Sequence, residues 1–351
     1  MQAAPAGSRS RVARVTPLVR RGLLLGLSGV SLYLLAPTLI EVFSSAPQLA
    51  DIRPAWFVPM LVLEAGSLAC MAYLQRICLG APHFAPVLWS QLAANAFARV
   101  VPGGGAAGAA LQYSMLVQAG EAGGRAASAL TAANLLTFAT LLALPVLALP
   151  AILLGVPVDG GLEAAAAIGA GAFVLLGAAG SLLLATTSPL VWIAEVVQAA
   201  LLRLRRLRGR PAPGPDPLAD LPARVVAERD FVLGTVGARW RLALLASVGR
   251  WMLDFGVLLT ALAAVGAEPS PSLVLLAYAG AQLLALIPLT PGGLGFVEAG
   301  LTGLLALAGV GAANATLATL AYRLVSYWLP LPVGATAAVV HRRRHVGAAA
   351  G

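Results

Sequence analysis

Two glycine-rich breaks interrupt stretches that are otherwise apolar enough to cross a bilayer. One reads P-G-G-G-A-A-G at 102–108 and the other P-G-G-L-G-F-V-E at 291–298. Proline removes a backbone donor and glycine is conformationally permissive, so both residues end helices. In lipid, a broken helix exposes backbone polar groups at a cost of several kcal/mol each, and it survives only where protein or water covers it. A pair of such interruptions in corresponding places of two halves is the sequence pointer to a transporter-like binding site. Composition agrees with a membrane setting. Of 351 residues, 59% are hydrophobic and only 11% charged, against about 25% charged in a soluble domain. Apolar runs of about 20 residues recur along the whole length. The expected fold class is an all-α polytopic membrane protein.

Every basic residue is Arg, and the formal net charge is +9. Seventeen of the 23 Arg fall in three places: Arg9, Arg11, Arg14, Arg20 and Arg21; the stretch from Arg203 to Arg241; and Arg342, Arg343 and Arg344. The positive-inside rule puts all three in the cytoplasm, with the protein in the cell (inner or plasma) membrane. Because this charge flanks apolar spans, anionic lipid headgroups rank far above nucleic acid as partner. Cys70 and Cys78 lie about two turns apart on one apolar segment, which disfavours a disulfide. The basic N-terminus is followed by an apolar stretch too long for a signal peptide, so it reads as a first span.

Residues 1–21 read as a basic cytoplasmic tail, and the first membrane half runs over 22–208. Spans are expected at 22–43, 55–78, 126–154 and 164–187, with a helical hairpin around 84–118 that enters and leaves on the cytoplasmic side. The segment 189–208 begins apolar and ends R-L-R-R-L-R, which suits an interfacial helix and equally an extension of the fourth span. Residues 209–241 form a cytoplasmic Pro/Arg-rich linker that includes a short surface helix. The second half, 242–340, holds spans at 242–265 and 312–340 and a hairpin around 272–310 that dips in from outside, followed by a cytoplasmic tail at 341–351. The total is about six full spans and two re-entrant hairpins. Span, hairpin and span thus occur twice in opposite orientation, as an inverted repeat. Polar residues repeat with it. Glu64 lies 38 residues before Pro102 and Asp254 lies 37 before Pro291; Asn134 and Arg323 each lie 32 after their proline.

Glu64, Asp254, Glu298 and Arg323 are the ionisable residues placed deepest. A charge at a helix centre costs about 2.5–3.5 kcal/mol on insertion scales, so such residues pair or face a cavity. Glu298 and Arg323 read equally as a buried pair locking the second hairpin to the last span and as a direct substrate site. Glu64 and Asp254 are candidate proton carriers, with hydrogen bonding between helices the alternative. Gly103, Gly104 and Gly105 beside Pro102, and Gly292, Gly293 and Gly295 beside Pro291, offer either exposed amides for an anion or room for tight packing. Asn95, Asn134, Gln112, Gln282, Thr290 and Tyr322 are possible lining. Arg99, just before the first break, is expected to snorkel to the cytoplasmic surface. His83, His341 and His345 have no metal-ligand spacing, and no nucleotide-binding or hydrolase motif appears, so neither metal nor cofactor is expected.

I-P-L-T-P-G-G-L-G-F-V-E at 287–298, Y-R-L-V-S-Y-W-L-P at 322–330 and W-M-L-D at 251–254 resemble the lysylphosphatidylglycerol synthase transmembrane family, also called the flippase-like integral membrane family. The resemblance spans 22–340. It implies a membrane domain that moves, or helps move, a lipid or lipid-linked headgroup between leaflets. Members commonly carry a Glu and an Arg soon after the first break, where this chain has Ala106, Ala107 and Ala110. Some members add a cytosolic aminoacyltransferase domain; this chain reaches Gly351 without room for one, so lipid aminoacylation is not expected. The leading expectation is a non-enzymatic flippase for an anionic lipid or lipid-linked headgroup. A membrane-embedded transferase with Glu298 or Asp254 as base is second. A partner subunit in envelope lipid or glycan assembly, docking through 203–241, is third.

Overall fold

A computed structural model describes residues 52–81, 83–101, 104–153, 185–207, 220–286 and 290–345, with isolated positions between 160 and 182. The expected first span, most of the expected fourth, the N-terminal tail, residues 346–351 of the C-terminal tail, residues 209–219 of the linker, and Pro102 and Gly103 lie outside the described residues. The described residues are helical throughout, with no strand among them. The helices are α1 (Phe57–Leu79), α2 (Phe84–Val100), α3 (Gly104–Gln118), α4 (Gly123–Leu153), α5 (Thr187–Leu207), α6 (Leu221–Gly237), α7 (Trp240–Ala264), α8 (Pro271–Leu284), α9 (Phe296–Leu307), α10 (Ala312–Arg323) and α11 (Pro330–His345). Four stretches among the described residues are long and apolar enough to cross a membrane: Pro54–Leu79, Gly123–Leu147, Trp240–Ala264 and Ala312–Arg344.

Local chemistry sets the ends. α1 closes at Gly80, whose φ of 62° lets its amide reach back to the Ile77 carbonyl while Ala81 reaches Arg76; this is a glycine C-cap. α8 opens with Pro271, where a missing donor costs nothing. The last span does not run straight. Leu324–Trp328 is a π turn, and the Leu329 amide bonds five residues back to the Leu324 carbonyl. Pro330 explains the defect: without an N–H it cannot serve the Ser326 carbonyl one turn earlier.

Small residues let the helices approach closely. α1 and α7 run antiparallel along a seam in which Gly66 faces Leu253, Gly256 faces Leu63 and Gly249 faces Cys70. Both broken stretches fold back as antiparallel helix pairs. In the first, Gly104 lies against Ala98 and Gly108 against Ala94, a glycine at every fourth position. In the second, Gly300 meets Leu284 and Gly280 meets Leu304.

The two span–pair–span units exchange partners. α4, which ends the first unit, packs on α8 of the second; α11, which ends the second, packs on α2 of the first. That reciprocity is what an internal two-fold would produce. The main apolar core joins Trp251, Phe255 and Leu258 of α7, Tyr278 of α8, and Leu301 and Leu305 of α9 with Leu141 and Leu144 of α4. Val58, Val62, Leu135 and Leu245 are exposed on the outside, as a lipid solvent favours. α5 packs on α6 and leaves Trp192, Val196 and Val197 exposed. α6 is tied to α4 by the Ser128 hydroxyl, which donates to Glu228 Oε2 at 2.5 Å.

Candidate functional site

A cavity of about 240 Å³ opens between the two units. Its wall carries three guanidinium groups, Arg99, Arg250 and Arg323, and two carboxyls, Glu64 and Asp254. Both members of each matched sequence pair are on it, Glu64 with Asp254 and Asn134 with Arg323. The antiparallel α1–α7 seam puts Glu64 and Asp254 at one level, where their carboxyl groups interact. Asp254 Oδ2 accepts from the Tyr278 hydroxyl at 2.5 Å, the Tyr322 hydroxyl at 2.9 Å and Gln282 Nε2 at 3.3 Å. Gln282 Nε2 also donates to the Tyr322 oxygen at 3.0 Å. Gln112 lines the cavity too, but its amide pairs with that of Gln75 at 2.7 Å and joins α3 to α1. Asn95 and Gly105 are on the wall as well, whereas the expected Thr290, and Gly104, Gly292, Gly293 and Gly295, are not.

Glu298 stands behind this wall rather than on it. Its Oε1 accepts from Arg323 Nε at 2.6 Å, and its Oε2 accepts from the Gly295 amide at 2.8 Å. The carboxylate therefore caps the α9 N-terminus, where negative charge is favourable. Arg323 Nη2 also donates to the Gly292 carbonyl at 3.3 Å. One ion pair thus fastens the second break to the end of α10, and both side chains are largely buried.

Two of the three glycine amides expected to greet an anion at this break are already engaged. Gly293 N donates to the Thr290 carbonyl at 3.1 Å and Gly295 N to Glu298. Thr290 faces inward as a turn brace, its hydroxyl donating to the Leu294 carbonyl at 2.9 Å. Gly292, in the 3₁₀ turn Pro291–Gly293, adopts φ 59°, and a Cβ there would lie 2.5 Å from the Tyr327 ring. Close packing is displayed at Gly292 and at Gly293, where a Cβ would lie 2.5 Å from Val297, whereas a Cβ at Gly295 would meet nothing within 4 Å. At the first break Pro102 and Gly103 are outside the described residues, and Gly104 is buried against Ala98.

Arg99 departs from expectation. It turns inward rather than to a surface, and Nη1 donates to the Ser326 carbonyl at 2.6 Å and the Tyr327 carbonyl at 2.7 Å. The Ser326 carbonyl is the acceptor that Pro330 leaves without its helical donor. Tyr327 answers with a hydroxyl bond to the Arg99 carbonyl at 2.9 Å. Its ring lies under both Arg99 and Arg323, at 5.2 Å and 4.4 Å. Sequence reasoning also missed Arg250, Gln91 and Tyr278 on the cavity wall. Arg250 carried a signal: it is a charged residue four before Asp254, on the same helical face. Gln91 and Tyr278 carried none beyond being polar in apolar segments.

Apolar helices with a polar cavity between them define a multi-pass helical membrane protein. The family model for the lysylphosphatidylglycerol synthase TM region matches residues 22–334, and the chain belongs to that family. It is similar to a UPF0104 membrane protein of Methanothermobacter thermautotrophicus, 36% identical over 98 residues, a stretch that spans 28% of each chain. No solved structure matches.

Proposed function

We propose that this protein moves an anionic lipid, or a lipid-linked headgroup, between the leaflets of a cell membrane as a flippase or facilitator. The observation that carries this reading is the cavity itself, with three guanidinium groups and two carboxyls enclosed by apolar helices. Guanidinium groups match phosphate geometry, and intramembrane charges facing a cavity mark substrate pathways. The volume is below the 300–1,000 Å³ typical of small-molecule sites, which suits a headgroup whose acyl chains remain in lipid. The family's lysylphosphatidylglycerol connection points to the same chemistry. In this reading the two folded-back pairs are re-entrant, their tips near the midplane, and the Arg-rich segments and both termini face the cytoplasm of the inner or plasma membrane.

The test is leaflet exchange in proteoliposomes containing purified protein, with anionic and zwitterionic lipids compared against protein-free vesicles. Selective movement above the protein-free rate is expected. A folded protein that moves none of a broad lipid panel overturns the reading and turns attention to a transferase or partner-subunit role.

A further inference from the structure

Three polar atoms on the cavity residues have no hydrogen-bond partner among the described residues: Glu64 Oε2, Gln91 Oε1 and Arg250 Nη1. Glu64 is 6% exposed and Gln91 4%. Buried polar atoms are almost always paired, so three unpaired atoms on residues that line one cavity call for a ligand or ordered water. The neighbouring groups are engaged. Arg323 holds Glu298 and Gly292, Arg99 holds the π turn, Gln112 holds Gln75, and Asp254 accepts three bonds. Glu64 also meets Asp254, and what Glu64 Oε2, Gln91 Oε1 and Arg250 Nη1 leave for a guest is one cationic donor and two acceptors. The donor is also positioned. The Arg250 guanidinium lies 3.9 Å over the Trp251 ring, and Trp251 is held by its indole N–H on the Thr137 carbonyl at 2.8 Å. The backbone is held as well, by the Ser67 hydroxyl on the Arg250 carbonyl at 2.9 Å.

Resting on the lipid reading above, we propose that Arg250, Gln91 and Glu64 form a headgroup-reading subsite. Arg250 takes the phosphate, and Gln91 and Glu64 take hydrogens of the group esterified to it. The ligand class is a phosphodiester whose headgroup carries O–H or N–H donors. A quaternary ammonium headgroup carries none and would leave both acceptors unpaired, the situation that polar sites reject most strongly. Arg323, the cation most conspicuous in the sequence, is a structural anchor in this arrangement and Arg250 is the recognition residue.

Purified protein in detergent would be titrated with dihexanoyl phosphatidylglycerol, phosphatidylethanolamine and phosphatidylcholine, reading the shift in melting temperature. The same three headgroups, labelled on an acyl chain, would be followed in proteoliposome exchange. The glycerol or ethanolamine lipid should bind about tenfold more tightly than the choline lipid. A preference for glycerol alone assigns hydroxyl donors, one for ethanolamine alone assigns ammonium donors, and a preference for both assigns the shared chemistry. Gln91→Leu should reduce the preference by at least half on a logarithmic scale, because Glu64 remains as the second acceptor. Arg250→Gln should weaken all three, with partial recovery in Arg250→Lys. Should Arg250→Gln fail to fold, Gln91→Leu decides alone. Equal binding of the three headgroups, no binding of any, or an unchanged preference in Gln91→Leu overturns the subsite. Selective binding without leaflet exchange supports the subsite and removes the flippase reading. Exchange that favours the anionic lipid but is indifferent to both substitutions removes the subsite and leaves that reading standing.

Discussion

The two broken stretches begin from nearly the same residues and are held in different ways. The second is anchored by charge: Glu298 binds both the Gly295 amide and Arg323, and Arg323 reaches the Gly292 carbonyl. The first carries alanines after its glycines, and α3 has no acid in its first turn. Its helices are held by close contact instead, Gly104 on Ala98 and Gly108 on Ala94. The one guanidinium near it, Arg99, serves the other unit's π turn. A broken helix in lipid thus has two remedies here. One satisfies the freed backbone with a charged side chain of the same unit. The other brings the backbones so near that packing excludes solvent, and lends its charge across the interface. Both glycine clusters look alike in the sequence because glycine serves either purpose.

The largest test of this contrast is Glu298→Gln. Removing one partner of a buried ion pair strands the other, and the expected loss is about 3–5 kcal/mol of stability, read as thermal unfolding in detergent. Glu298→Gln with Arg323→Gln should recover more than half of it. A single variant that melts like the wild type would mean that the second break is not anchored by charge. Next comes packing at the first break. A Cβ on Gly104 would fall 1.7 Å from the Ala98 carbonyl oxygen, so Gly104→Ala should lose about 1–3 kcal/mol through overpacking. Gly105→Ala meets nothing within 4 Å and should instead gain up to about 1 kcal/mol of helix propensity. Equal melting temperatures for these two variants would remove the packing account.

Gly292→Ala should cost about 1–2 kcal/mol, since φ 59° disfavours a Cβ and the Tyr327 ring occupies its place. The smallest effect concerns the link between units. Tyr327→Phe keeps the ring under both guanidinium groups but removes the hydroxyl bond to the Arg99 carbonyl, for a loss of about 1 kcal/mol. Combined with Arg99→Gln, the two losses should fail to add, because both residues belong to one network. Strict additivity in that double-mutant cycle would show that the first break does not depend on the π turn.

Much of this was legible from residues alone, because in lipid the hydrogen-bond accounting of each segment is local to the chain. Apolar length predicts the helices, Pro and Gly mark where they break, and the expected spans at 55–78 and 242–265 differ by a few residues from α1 and α7. Nearly equal offsets from the two prolines paired Glu64 with Asp254 and Asn134 with Arg323, and all four share one cavity wall. The last span was read as continuous, although Pro330 held the signal that one carbonyl a turn earlier would lack its donor. Which side chain would supply that donor was not in the string. Arg99 and Ser326 lie 227 positions apart, and their meeting follows from the packing of α11 on α2. The roles of the cations were decided in the same way. Sequence reading singled out Arg323 by depth, sent Arg99 to the surface and passed over Arg250, but a guanidinium is available to a ligand only if the fold leaves a donor unpaired. That is settled by which acceptors of other helices arrive beside it, a property of tertiary contact that no local pattern encodes.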